Sequence, residues 1–158
     1  DCLLSRGLGD VYKRQDTYCG IGTIGLYMAP VAKHVYGVEI VPSAIQDAKQ
    51  NALINHFDNT TFECGKAEEV IIEWKQKGIE PDVIMVDPPR KGCDQVFIET
   101  LLELAPKRII YISCNPSTQQ RDAQLLANLY YLKEITPVDM FPHTTHIETV
   151  ALFERKTL

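Results

Sequence analysis

The chain has 158 residues, 45% of them hydrophobic, and a formal net charge of −5. That length supports one domain with a real core, while the acidic balance argues against gripping nucleic acid through the overall field. No apolar run approaches membrane-spanning length, no secretory signal pattern opens the chain, and none of the five cysteines forms a C-x-x-C pair, so neither a membrane anchor, a disulfide framework nor a metal site is suggested. Buried, reduced thiols in a cytoplasmic protein are expected instead, Cys64 among them.

In chain order, residues 1–15 fit poorly with the rest of the chain. A buried parallel strand should lead into the glycine loop that begins at Asp16, and such strands are near-continuous apolar runs. Lys13, Arg14 and Gln15 stand there instead. The stretch resembles translated adapter sequence, so 1–15 is expected to be foreign and 16–158 to be the domain, with a poor first strand that weakens the sheet beside the glycine loop.

From there, strands and helices alternate. Strands are expected at 34–40, 60–64, 82–87 and 108–114, where β-type apolar residues cluster. Helices are expected at 42–56, where Pro42 opens and Ala44, Ala48 and Ala52 recur at spacing four, at 67–78, closed by Gly78, and at 95–105 and 117–129, the last capped by Ser117 or Thr118. Two further strands close the chain with no helix between them. The pattern implies an α/β domain: a mostly parallel sheet with helices on both faces and an antiparallel edge pair.

Three segments carry chemistry. "CGIGTIG" holds Gly20, Gly22 and Gly25 as a formal G-x-G-x-x-G, and Glu39 follows at the end of the second strand. The glycines let backbone approach a ligand, and the acid can accept from a ribose, so the loop suits NAD(P) or S-adenosylmethionine. "VDPPRKG" (86–92) sends Asp87 out of the fourth strand, stiffens the turn with Pro88 and Pro89, and projects Arg90. Nicotinamide enzymes have no need of that element; methyltransferases acting on bases often have a counterpart. "YISCNPST" (111–118) breaks the next strand at Asn115 and Pro116 directly after Cys114, holding a thiol on a rigid turn at the same edge.

With these segments, and with "YGVEI" and "DMFPHTTHIETVALFER", the chain from Asp16 onward resembles the catalytic domain of the RNA (uracil-5-)-methyltransferase family, and is most similar to its bacterial 23S rRNA members. The resemblance implies a Rossmann-like S-adenosylmethionine-dependent methyltransferase fold with seven strands, the first truncated or replaced. It implies that Tyr18, Glu39 and Asp87 contact S-adenosylmethionine, with Gly20 and Gly22 shaping the loop. Cys114 would be the nucleophile and Glu148 the general base. Asp87, Arg90 and Asn115 would face the uracil, and no metal is implied.

Strand alternation sets Glu148 with Val150 and Leu152, so the base is expected to begin an otherwise buried face. His143 and His146 flank it, as base-orienting, RNA-contacting or structural residues. Family parts that usually precede this domain are expected to supply the RNA grip, leaving a catalytic fragment of little activity alone. The expected partner is RNA, 23S rRNA before transfer RNA, and the expected state is a monomer. Three other readings compete: an amino-methyltransferase, which would not need Cys114, an NAD(P)-binding domain, and a non-catalytic module.

Overall fold

The computed structural model describes residues 12–157. Seven strands form one sheet in the order β3-β2-β1-β4-β5-β7-β6. They are β1 (Tyr12–Thr17), β2 (Ala32–Glu39), β3 (Thr60–Cys64), β4 (Val83–Val86), β5 (Arg108–Ser113), β6 (Tyr130–Val138) and β7 (Glu148–Arg155). The helices α1 (Thr23–Met28), α2 (Pro42–Ile54), α3 (Ala67–Gln76), α4 (Gln95–Leu104) and α5 (Pro116–Leu126) connect them. The first five strands run parallel, and β7 pairs antiparallel with both β5 and β6. The expected parallel sheet with its antiparallel edge pair is present.

The chain reverses its direction of travel across the sheet between β1 and β4, and a crevice opens there beyond the strands' carboxyl ends, where open α/β sheets bind ligands. The larger core lies on the α3, α4, α5 side, where Trp74, Phe97, Leu101 and Leu126 close over Ile84, Ile109 and Tyr111. Smaller clusters on the other side join α1 and α2 to the sheet through Met28, Ile45 and Phe62.

Of the residues read as foreign, 1–11 lie outside the described residues, and 12–15 form most of β1, an interior strand of the sheet. Backbone pairing on both sides carries this strand whatever its side chains, and the polar groups are buried with it. Arg14 and Gln15 are fully buried; Arg14 keeps one long bond, Nη2 donating to Val31 O at 3.3 Å. Arg14 Nε and Nη1 and both polar atoms of the Gln15 amide have no partner. Burial also pulls the Arg14 guanidinium pKa down.

Cys64 is exposed rather than buried, because it ends the edge strand β3, where no further strand covers it. The cap of α5 is Asn115, whose side chain accepts from Ser117 N, and Pro116 takes the first helical position, where its missing N–H costs nothing. In β7 the fully buried face is Thr149, Ala151 and Phe153, pressed on the larger core; Glu148, Val150 and Leu152 lie on the half-buried face.

The unpartnered groups of β1 give a stability prediction. A buried unsatisfied polar group costs about 1–3 kcal/mol, and about 1 kcal/mol moves Tm by roughly 2–4 °C at this size. The double variant Arg14→Met, Gln15→Leu is expected to raise Tm by at least about 5 °C in a thermal melt, and an unchanged or lower Tm would contradict the assignment of these atoms as unsatisfied.

Candidate active site

The glycine loop begins where β1 ends. Tyr18 turns the backbone with φ 63° and sets its ring 5.4 Å from Phe97. Gly20 (φ 52°) donates its N–H to Glu39 Oε2 at 3.2 Å, and Val41 N donates to Oε1 at 3.1 Å. Glu39 therefore ties the loop to the end of β2. Gly22 (φ 83°) opens α1, and a Cβ there would come within 3.1 Å of Ala48 and Phe62, so the close approach of α2 and β3 requires glycine.

Tyr18 and Glu39 line a cleft of about 300 Å³ with Ile40, Gly65, Ala67, Glu68 and Asp94. The last four were not anticipated from the sequence; the acid run after β3, "GKAEE", was the available signal. A larger depression of about 810 Å³, among Lys107, Leu129 and Lys156, involves none of the site residues.

Asp16 was also missed as a site residue. It is buried and accepts from Gly25 N at 2.7 Å through Oδ2, and its Oδ1 has no partner. Burial, then the carboxylates of Asp87 and Glu39, push its pKa up to about 7 against the pull of the Gly25 N–H.

The second group forms at the ends of β4, β5 and β7. Asp87 follows β4 directly, on the face that Val83 and Met85 occupy. In the β5–β7 ladder Ser113 faces Thr149. Cys114 follows Ser113 and Glu148 precedes Thr149, so both lie at the same end of the ladder. Both are partly exposed. Desolvation, then the neighbouring Glu148 carboxylate, push Asp87 up to about 6. Asp87, Cys114 and Glu148 thus meet at one edge, beside the glycine loop.

Arg90 is exposed, and its carbonyl accepts from Asn115 Nδ2 and Thr118 Oγ1, each at 3.2 Å. The Asn115 amide caps α5 through Oδ1 and donates to Arg90 O through Nδ2, tying the two turns together. His143 and His146 are exposed on the 139–147 loop.

The profile of the tRNA (uracil-5-)-methyltransferase family matches residues 9–156. The chain belongs to this family. It is 77% identical over 141 residues to an uncharacterised RNA methyltransferase of Staphylococcus aureus (strain COL) and to one of Staphylococcus epidermidis (strain ATCC 12228), covering 89% of this chain and 31% of each relative. The chain spans about a third of the length of these relatives. Among solved structures it is similar to a Pyrococcus abyssi tRNA (uracil-54, C5)-methyltransferase in complex with S-adenosyl-L-homocysteine, with a TM-score of 0.81 and 37% identity, covering 92% of this chain and 35% of that one. An rRNA methylase from Streptococcus thermophilus shares the fold alone: TM-score 0.76 at 12% identity, over 98% of this chain and 92% of that one. The fold is that of S-adenosylmethionine-dependent methyltransferases.

Asp16 gives the site a pH signature. Between about pH 4, the unfolded value, and about pH 7, the folded value, the unfolded chain releases this proton and the folded chain keeps it. Asp16 therefore favours the fold at the acid end, and that contribution falls as pH rises through the window, levelling off above it. The urea midpoint of Asp16→Asn relative to the parent is expected to rise from pH 5 to pH 8; parallel pH profiles of the two proteins would contradict it.

Proposed function

We propose that this chain is the catalytic domain of an enzyme that methylates C5 of a uridine in RNA. The observation that carries the reading is the end of the β5–β7 ladder at Ser113 and Thr149, which leaves Cys114 and Glu148 at the same edge of the sheet. C5 of uracil is too weak a nucleophile to be methylated unaided, and a thiol with a nearby base answers that problem.

The cleft fits S-adenosylmethionine. Glu39 stands at the end of β2, where a ribose hydroxyl can be met, and Glu68 and Asp94 offer further acceptors. The unpartnered Oδ1 of Asp16 adds a buried acceptor beside the loop. Such an acidic lining suits a cationic nucleoside, and the cofactor would supply an electrophilic methyl group for C5.

The chain's residues do the rest. The Cys114 thiolate adds to C6, and the C5–C6 π electrons move onto C5 and O4. Asp87 and Arg90 steady the O4 and N3 side as that charge develops. After C5 has become methylated, Glu148 takes the remaining C5 proton. The double bond re-forms, the C6–Sγ bond breaks, and Cys114 is regenerated. The amino-methyltransferase and NAD(P) readings leave the Cys114–Glu148 pair without a task.

The likeness of the motifs to bacterial 23S rRNA enzymes favours ribosomal RNA as substrate. The family's description and the Pyrococcus abyssi neighbour favour transfer RNA as a second reading. In either case the target base must leave its stack to reach Cys114, since C6 is shielded within a stacked strand. No helix among the described residues is long and apolar enough to cross a membrane, and none of their His, Cys, Asp and Glu side chains cluster as a metal site.

The test uses full-length protein carrying this domain, S-adenosylmethionine and RNA hairpins containing 5-fluorouracil. Fluorine cannot leave C5 as a proton would, so the reaction should stall as a covalent protein–RNA adduct visible by mass. The adduct is expected in the parent and in Glu148→Gln, and absent in Cys114→Ala. On unmodified RNA, Glu148→Gln is expected to lower kcat by roughly 10²–10⁴-fold. Methylation that survives Cys114→Ala would sink the mechanism, and rRNA against tRNA hairpins decides the substrate.

A further inference from the structure

The proposed chemistry gives no task to a buried carboxyl whose two oxygens are both bonded. Asp122, on α5, is fully buried. Its Oδ2 accepts from Cys93 N at 2.8 Å and from the Tyr111 hydroxyl at 2.6 Å. Its Oδ1 accepts from Arg121 Nε at 2.9 Å and Nη2 at 2.7 Å. Arg121 reaches further: Nη2 also donates to Lys91 O and Cys93 O, each at 3.1 Å.

One turn earlier, Asn115 and Thr118 hold Arg90 O. Positions 115, 118 and 122 share one helical face, and that face grips the backbone of residues 90–93. The fit leaves no slack at Gly92. Its φ is +80°, and a Cβ there would stand 2.7 Å from both Arg121 Nη2 and Asp122 Oδ2.

The sheet does not supply this constraint. The β4–β5 ladder ends at Val86 and Tyr111, short of both Asp87 and Cys114. Past that point no strand pairing fixes the spacing of the two turns, and the grip of α5 on residues 90–93 takes over. An ion pair is also a poor choice for stability alone, because well-packed apolar residues often serve a buried position as well or better.

We propose that Arg121 and Asp122 are positioning residues: a clasp that locks the Asp87–Arg90 turn to the Cys114–Asn115 turn and so fixes the thiol relative to the carboxylate across the reacting base. The inference rests on the uracil reading of this site. Displacement of a reacting group by about 1 Å can cost about 10²-fold in rate. Loosening the clasp therefore acts first on kcat, and it reaches the cleft that Tyr18 and Glu39 line only through Asp94, the residue after Cys93.

Arg121→Ala is the informative variant, since the Arg121 side chain is 52% exposed and Asp122 still accepts from Cys93 N and the Tyr111 hydroxyl without it. In the full-length protein it is expected to lower kcat at least about 10-fold, a larger change than in KM for RNA or in S-adenosylmethionine affinity, and Arg121→Lys should recover part of the loss. Amide exchange at Gly92 and Cys93 should accelerate while β4 and β5 stay protected. Alkylation of Cys114, measured against exposed Cys64 as internal reference, should change at least about threefold. Unchanged kcat, or faster exchange in β4 and β5 together with the loop, would overturn the proposal. If the parent itself neither turns over nor forms the fluorouracil adduct, the uracil reading fails; the exchange and alkylation comparisons, which need no RNA, then decide the clasp by themselves.

Discussion

The antiparallel docking of β7 against β5 is the constraint on which the site depends. A sheet of parallel strands alone delivers only strand ends to its carboxyl edge. An antiparallel strand delivers a strand beginning to that edge. Because Ser113 faces Thr149, the residues just beyond them, Cys114 and Glu148, come to the same edge. A register slip of one residue would turn Glu148 to the opposite face. The fully buried run of Thr149, Ala151 and Phe153 against the larger core resists such a slip. Core packing on one face thereby fixes the chemistry on the other.

Negative charge is concentrated at the same edge. Asp16, Glu39, Asp87 and Glu148 converge on one crevice, and the carboxyls of Asp16 and Asp87 are pushed up to about 7 and about 6. Carboxylates crowded in this way are costly in the free protein and are relieved by a cationic ligand. The same arrangement is unsuited to holding a polyanion. Under the proposed function the domain supplies the pocket and the reacting groups; the relatives it matches are about three times as long.

Much of the fold was legible because its signals are local. Pro42, the alternation of apolar strands with helical repeats, and Gly78 at φ 75° each mark an element's position by their own backbone preference. The glycine loop, Asp87 and Cys114 were legible because each stands where a strand breaks. Other features depend on tertiary context. β1 forms through backbone pairing on both sides although Lys13, Arg14 and Gln15 argue against a buried strand. Which face of β7 is buried depends on the helices α3 to α5, not on its alternation. Asn115 displaced Ser117 as the cap because Pro116 already occupies the first helical position. Asp122 reads as an ordinary helix acid until the loop it grips is seen.

Every role proposed for the site depends on C5 of uracil being the methylated atom, and one measurement reaches that directly: release of tritium from RNA labelled at C5 of uridine, counted alongside methyl groups transferred by the full-length enzyme. Replacing the C5 hydrogen requires one tritium released per methyl gained, with both lost in Cys114→Ala. Methyl transfer without tritium release would assign the methyl to a nitrogen or an oxygen, and would leave the thiol and carboxylate at the β5–β7 edge without their proposed roles.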